Sequence, residues 1–134
     1  MKKTALTSEE KSQTLNGKLP GIDIDKGLAL LDGREDIYLK VVTAFIVEYS
    51  DIEKFKTQMN HLIISNLTEE AKRLAHTIKG VAGSIGATEL IYSVQQLDKA
   101  LKNSEKLDEK LAIFWTHLTV ALNSCEKISQ LNPR

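Results

Sequence analysis

Apolar residues recur along the chain at steps of three and four, the spacing of one face of an α-helix. From Arg34 to residue 63 the stripe is Tyr38, Val42, Phe45, Tyr49, Ile52, Phe55, Met59 and Leu62. Leu90, Val94, Leu97 and Leu101 form a second, over about Thr88 to Lys102, and Leu111, Phe114, Leu118, Leu122 and Cys125 a third, over about Leu107 to Gln130. Another helix is predicted from Asn66 to about Ser84, with Asn66 as its cap and Glu69 reaching back. A short helix, Asp25 to Leu31, precedes these and stops at Asp32-Gly33, where glycine suits the left-handed residue after a helix end. Ser50 followed by Glu53 is a capping signal inside the first stripe, but the unbroken spacing favours one long helix over residues 34–63. No segment alternates with the period of two that a half-buried strand needs. The predicted fold is all-α: an antiparallel up-and-down four-helix bundle with a short extra N-terminal helix.

Residues 1–19 carry little to bury, so their ordering entropy would go uncompensated, and they read as a flexible tail or interdomain linker. A linker favours a domain taken from a longer chain. Leu19-Pro20-Gly21 marks the boundary, which leaves one domain over residues 20–132 with its folded body beginning near Ile22. With 134 residues the chain is long enough for one core and too short for two.

Charge and composition narrow the functions. Lys+Arg and Asp+Glu cancel at 18 each, so no global field draws the chain to nucleic acid or an anionic membrane. No apolar run approaches the roughly 20 residues of a membrane span, and no apolar signal core follows Met1-Lys2-Lys3. The single cysteine, Cys125, excludes an internal disulfide and fits a reducing compartment, the cytoplasm by default; on the apolar stripe it reads as an inert thiol. His61, His76 and His117 fall on three predicted helices without ligand spacing, so no metal site is expected. The expected state is a monomer.

His76 stands out when its helix is drawn as a wheel. With about 100° per residue, Leu67, Leu74, Ile78, Val81 and Ile85 fall opposite it and define the core face, so His76 points outward. Around it lie Lys72, Arg73, Lys79, Gly80 and Gly83, a basic surface of low relief. Two glycines on an exposed helix face cost about 1 kcal/mol each relative to alanine, which points to a partner that approaches closely. A neutral imidazole is a nucleophile near physiological pH, and the nearby cations offset the charge of an incoming phosphoryl group.

The segment A-H-T-I-K-G-V-A-G-S-I-G-A, Ala75 to Ala87, resembles the signature of histidine phosphotransfer (HPt) domains of bacterial phosphorelays, with His76, Lys79, Gly80, Gly83 and Gly86 at the matching positions. The upstream stretch LPGIDIDKGLALLDGREDIYLKVVTAF is similar to the lead-in and first bundle helices of HPt domains attached to hybrid sensor kinases, so the likeness covers roughly residues 19–130. It implies that His76 takes a phosphoryl group from a receiver-domain aspartate and passes it to another receiver, as a phosphocarrier rather than an enzyme. Lys79 would neutralise phosphoryl oxygens; Lys72, Arg73, Gly80, Gly83 and Gly86 would form the docking surface. Asp98, with Gln95 one turn earlier, would orient the imidazole. No cofactor would be bound by this chain, and Mg²⁺ would sit on the receiver.

Three other readings compete. A kinase dimerisation domain usually carries an acidic residue after its histidine, where this chain has Thr77. A metal site lacks clustered ligands. A helical docking module for a receiver or other signalling partner, without phosphorylation, would not need His76 and Lys79 together.

Overall fold

The computed structural model describes residues 19–131. Among them are six helices and no strand: α1 (Ile24–Leu30), α2 (Glu35–Tyr49), α3 (Ile52–Ile64), α4 (Thr68–Ile85), α5 (Thr88–Asn103) and α6 (Leu107–Leu131). The proposed linker, residues 1–19, lies outside the described residues except for Leu19. That residue is core, only 5% exposed, so the folded body includes it as well as Ile22. Ser124 of α6 donates its hydroxyl to the carbonyl of Pro20 and fastens this lead-in to the bundle.

Helices α2, α4, α5 and α6 form the bundle: α2 packs on α4 and α6, α5 on α4 and α6, and α1 lies against α4. The large buried side chains, among them Tyr38, Phe45, Met59, Ile78, Leu97, Phe114 and Ile128, come from all these helices and make one core.

The long helix expected over residues 34–63 is two helices. Asp51, not Ser50, caps the second, its carboxylate accepting from the amide of Lys54 at 3.1 Å. A side-chain acceptor at that point competes with helix continuation, and the apolar spacing runs through the break because both helices face the same core. Across the bend, aromatic rings pack in sequence: Phe45–Tyr49, Tyr49–Phe55 and Phe55–Trp115 have centroids 5.3, 5.4 and 5.8 Å apart, which ties α3 to α6.

Asn66 does not cap α4 either. It adopts φ +61°, and the amides of Asn66 and Leu67 donate to the carbonyls of Ile63 and Leu62 at 3.1 and 2.8 Å. This is the paired closure of a helix C-terminus, with asparagine in the left-handed position it tolerates better than most residues. The turn therefore ends α3, and α4 starts without a side-chain cap.

The end of α4 meets α1 at close range. Asp23 caps α1 by accepting from the amide of Lys26, and its own amide donates to the carbonyl of Gly86 at 2.8 Å. A Cβ on Gly27 would stand 2.7 Å from the carbonyl carbon of Ile85 and 2.8 Å from the oxygen of Ser84, so only glycine permits this crossing. Beneath it the buried hydroxyl of Tyr38 donates to the carbonyl of Ile85 at 2.8 Å, and burial pushes that phenol well above its ordinary range, so it stays a donor. Burial likewise pushes the Cys125 thiol up to about 12, which leaves it protonated and inert at neutral pH.

Gly27→Ala places a methyl group against backbone that cannot swing aside. We expect a loss of about 1–3 kcal/mol of folding stability, read from urea unfolding; a loss below about 0.5 kcal/mol would show that the crossing relaxes freely.

Candidate functional site

Helix α4 carries its buried stripe on Ala71, Ala75, Ile78, Ala82 and Ile85. On a wheel of about 100° per residue this stripe is centred about 40° from the face expected above, turned toward α5. Leu67, assigned to the core, is instead 40% exposed, and Leu74 and Val81 are only partly buried. The alanines explain the rotation: small side chains let neighbouring backbones close in on that flank, a packing gain that an outline of large apolar residues does not reveal.

The rotation brings His76 to the edge of α4 that faces α5. Its side chain is 51% exposed, and Nε2 lies 3.4 Å from Oδ1 of Asp98. The contact is out of line for a formed hydrogen bond: Asp98 Oδ1 is shielded from solvent and has no hydrogen-bond donor among the described residues. An unpaired, buried acceptor costs about 1–3 kcal/mol, and the imidazole of His76 lies beside this one. The two side chains share a shallow groove with Lys79, Tyr92, Gln95 and Lys99.

The other site candidates separate into three groups. Lys79 is half-buried in the groove and Arg73 is exposed, and neither pairs with a described acid; Lys72 is tied to Glu69 on its own helix at 3.6 Å. Gly80 and Gly83 lie on the outward face. A Cβ on Gly80 would meet nothing within 4 Å, and one on Gly83 only Cδ1 of Leu30 at 3.7 Å, an ordinary contact. Gly86 departs from the docking role implied for it. It is buried, closes α4 at φ +80°, and leaves no room for a Cβ against the carbonyl of Asp23. Its glycine answers a backbone need, not a partner.

Tyr92 and Lys99 were not among the sequence candidates. With Gln95 and Gln96 they follow the three-and-four spacing of one polar face of α5, a signal available only once α5 is known to flank His76. Leu30, 67% exposed beside Gly83, was also missed, because the short α1 offers Leu28, Leu30 and Leu31 with too few turns to tell its faces apart. His61 is exposed and His117 partly buried on other helices, and no metal-binding cluster exists among the described residues.

The helical bundle thus presents His76 on an exposed helix face, with Lys79 and Arg73 beside it and two glycines that add no relief. The chain belongs to the Hpt domain family, whose model matches residues 42–130. That span contains α3 to α6 and every site residue discussed except Leu30; α1 and the start of α2 precede it. Membership makes the protein a phosphotransfer module of phosphorelay signalling, a phosphocarrier class whose partners are receiver domains. No curated protein and no solved structure matches the chain. No helix among the described residues is long and apolar enough to cross a membrane.

Because nothing in the fold requires Gly80, alanine there removes only the conformational freedom of the unfolded chain and improves helix propensity. Gly80→Ala should raise folding stability by about 0.5–1 kcal/mol in urea titration; a loss would show that the glycine serves the fold.

Proposed function

We propose that His76 is the phosphoacceptor and that this protein passes phosphoryl groups between receiver-domain aspartates as a monomer. One observation carries the reading: His76 shares its exposed face with Gly80 and Gly83, two glycines that the fold does not use and an approaching protein surface would.

The chemistry needs little from this chain. The lone pair of one imidazole nitrogen attacks the phosphorus of an aspartyl phosphate, an N–P bond forms, the P–O bond breaks, and its electron pair returns to the receiver's carboxylate. In-line placement and neutralisation of the equatorial oxygens do most of the catalytic work in such transfers. Lys79 is the cation placed to meet those oxygens, with Arg73 and Lys72 further along the face. This chain supplies no metal ligand cluster among its described residues, and the Mg²⁺ that phosphoaspartate chemistry uses belongs to the receiver. The reverse sequence hands the group on.

Incubation with a phosphorylated receiver domain and Mg²⁺ should label the protein with an acid-labile, alkali-stable phosphate. His76→Gln should abolish the label; equal labelling of that variant would defeat the assignment, and binding without any label in the parent protein would identify a docking module instead. Gly83→Leu should keep the fold, since its side chain extends over the outer face beside Leu30, yet weaken receiver binding about tenfold or more, a difference of about 1.4 kcal/mol. Unchanged affinity in a binding titration would move the docking surface elsewhere.

A further inference from the structure

A groove runs along each flank of α4, and charge tells the two apart. The groove toward α5 carries Lys79 and Lys99 against one acid, Asp98. The groove toward the α2–α3 bend, lined from α4 by Leu74 and Thr77, carries Glu48 and Asp51 against Lys54. Because basic and acidic residues balance over the whole chain, local differences of this kind steer an encounter. A receiver that holds Mg²⁺ beside a phosphoaspartate presents carboxylate oxygens as well as the phosphoryl group, and an acidic rim of that kind is drawn to the α5 flank.

The α5 wall of that groove also holds side chains for which the fold has no use. Tyr92 is 62% exposed, the one exposed aromatic residue among those described, and it makes no hydrogen bond or ring contact with any of them. Lys99 is exposed and pairs with no described acid. The two stand two helical turns apart, about 10 Å along the axis, with the exposed Gln95 between them, and all three line the groove that His76 shares. A tyrosine ring left in water at the lip of a groove is unused contact area, and tyrosine is among the residues that carry most of the energy at protein interfaces.

On the reading that His76 is the phosphoacceptor, we infer that the receiver docks across the α4–α5 groove, with the ring of Tyr92 as its apolar anchor and the ammonium of Lys99 against its acidic rim. The footprint then leans from α4 onto α5 and away from the α2–α3 bend, where Glu48 and Asp51 would repel it. Both residues select and hold the partner and take no part in the chemistry. They set the affinity for the receiver and leave the transfer step within the complex unchanged.

The test takes the full chain and a receiver domain that labels it on His76, with Mg²⁺, and follows single-turnover transfer at increasing concentrations of phosphorylated receiver. Tyr92→Ala should raise the half-saturating concentration about tenfold without lowering the limiting rate, and Tyr92→Phe, which keeps the ring, should behave as the parent. Lys99→Gln should raise it about threefold at low salt, an effect lost in about 1 M salt, and Lys99→Arg should restore it. Val47→Ser, at the edge of the other groove, and Lys127→Gln, exposed on α6, should change neither constant. Circular dichroism melts confirm the fold of each variant. An unchanged half-saturating concentration in Tyr92→Ala, or a loss confined to the limiting rate, would overturn the inference. Equal losses in Lys99→Gln and Lys127→Gln would overturn the local charge contact, and a loss in Val47→Ser alone would put the receiver on the α2–α3 flank instead. A parent protein that no receiver labels would overturn the phosphoacceptor assignment itself, an outcome visible before any α5 variant is compared.

Discussion

The close crossing of α1 over the C-terminal turn of α4 sets the geometry of this protein. Gly27 lets the two backbones touch, Gly86 supplies the left-handed turn beneath Asp23, and Tyr38 reaches up through the core to the last carbonyl of α4. A helix fastened at one end can neither slide nor roll without breaking those contacts. The roll of α4 decides which side chain faces the partner, so the site depends on residues that never touch it. His76 and Asp98 meet at the groove edge because α4 is held at this rotation against α5.

Glycine does two opposite jobs along the short stretch from Gly80 to Gly86. Gly86 is fixed by the interior, through a positive φ and a carbonyl that leaves no space for a side chain; Gly80 and Gly83 are free of interior demands and cost helix stability. One motif in the sequence thus encodes how the helix ends and, under the proposed function, how another protein approaches it. The chemistry is divided in the same manner. In the proposed transfer this chain contributes the nucleophile and its cations, and a receiver contributes the aspartate and metal. A phosphoryl group can then move only while the two surfaces are pressed together, which limits loss of phosphate to water.

Much of this was legible in the residues. The apolar stripes located α4, α5 and α6 to within a residue or two, because long amphipathic segments report their period strongly. The outward direction of His76 followed from Ile78 and Ile85, which are indeed buried. What failed depended on competition between local hydrogen bonds that spacing does not record. Asp51 outbid Ser50 as a cap, and Asn66 closed one helix instead of opening the next. The 40° roll of α4 was hidden in alanines, whose small size matters for contact distance more than for hydropathy. The nearness of His76 to Asp98 was legible only through the family resemblance, because the register of α4 against α5 is contained in no single helix.

The aromatic chain across the α2–α3 bend ends on Trp115, the sole tryptophan of the molecule. It sits on α6, which the bundle places diagonally from α4, between Phe55 and the ammonium of Lys56 about 6.0 Å from its ring. The protein therefore carries a single indole, packed at the end of an aromatic chain, whose surroundings change when the bundle opens. Emission from that indole gives a signal for unfolding that is separate from the three tyrosines.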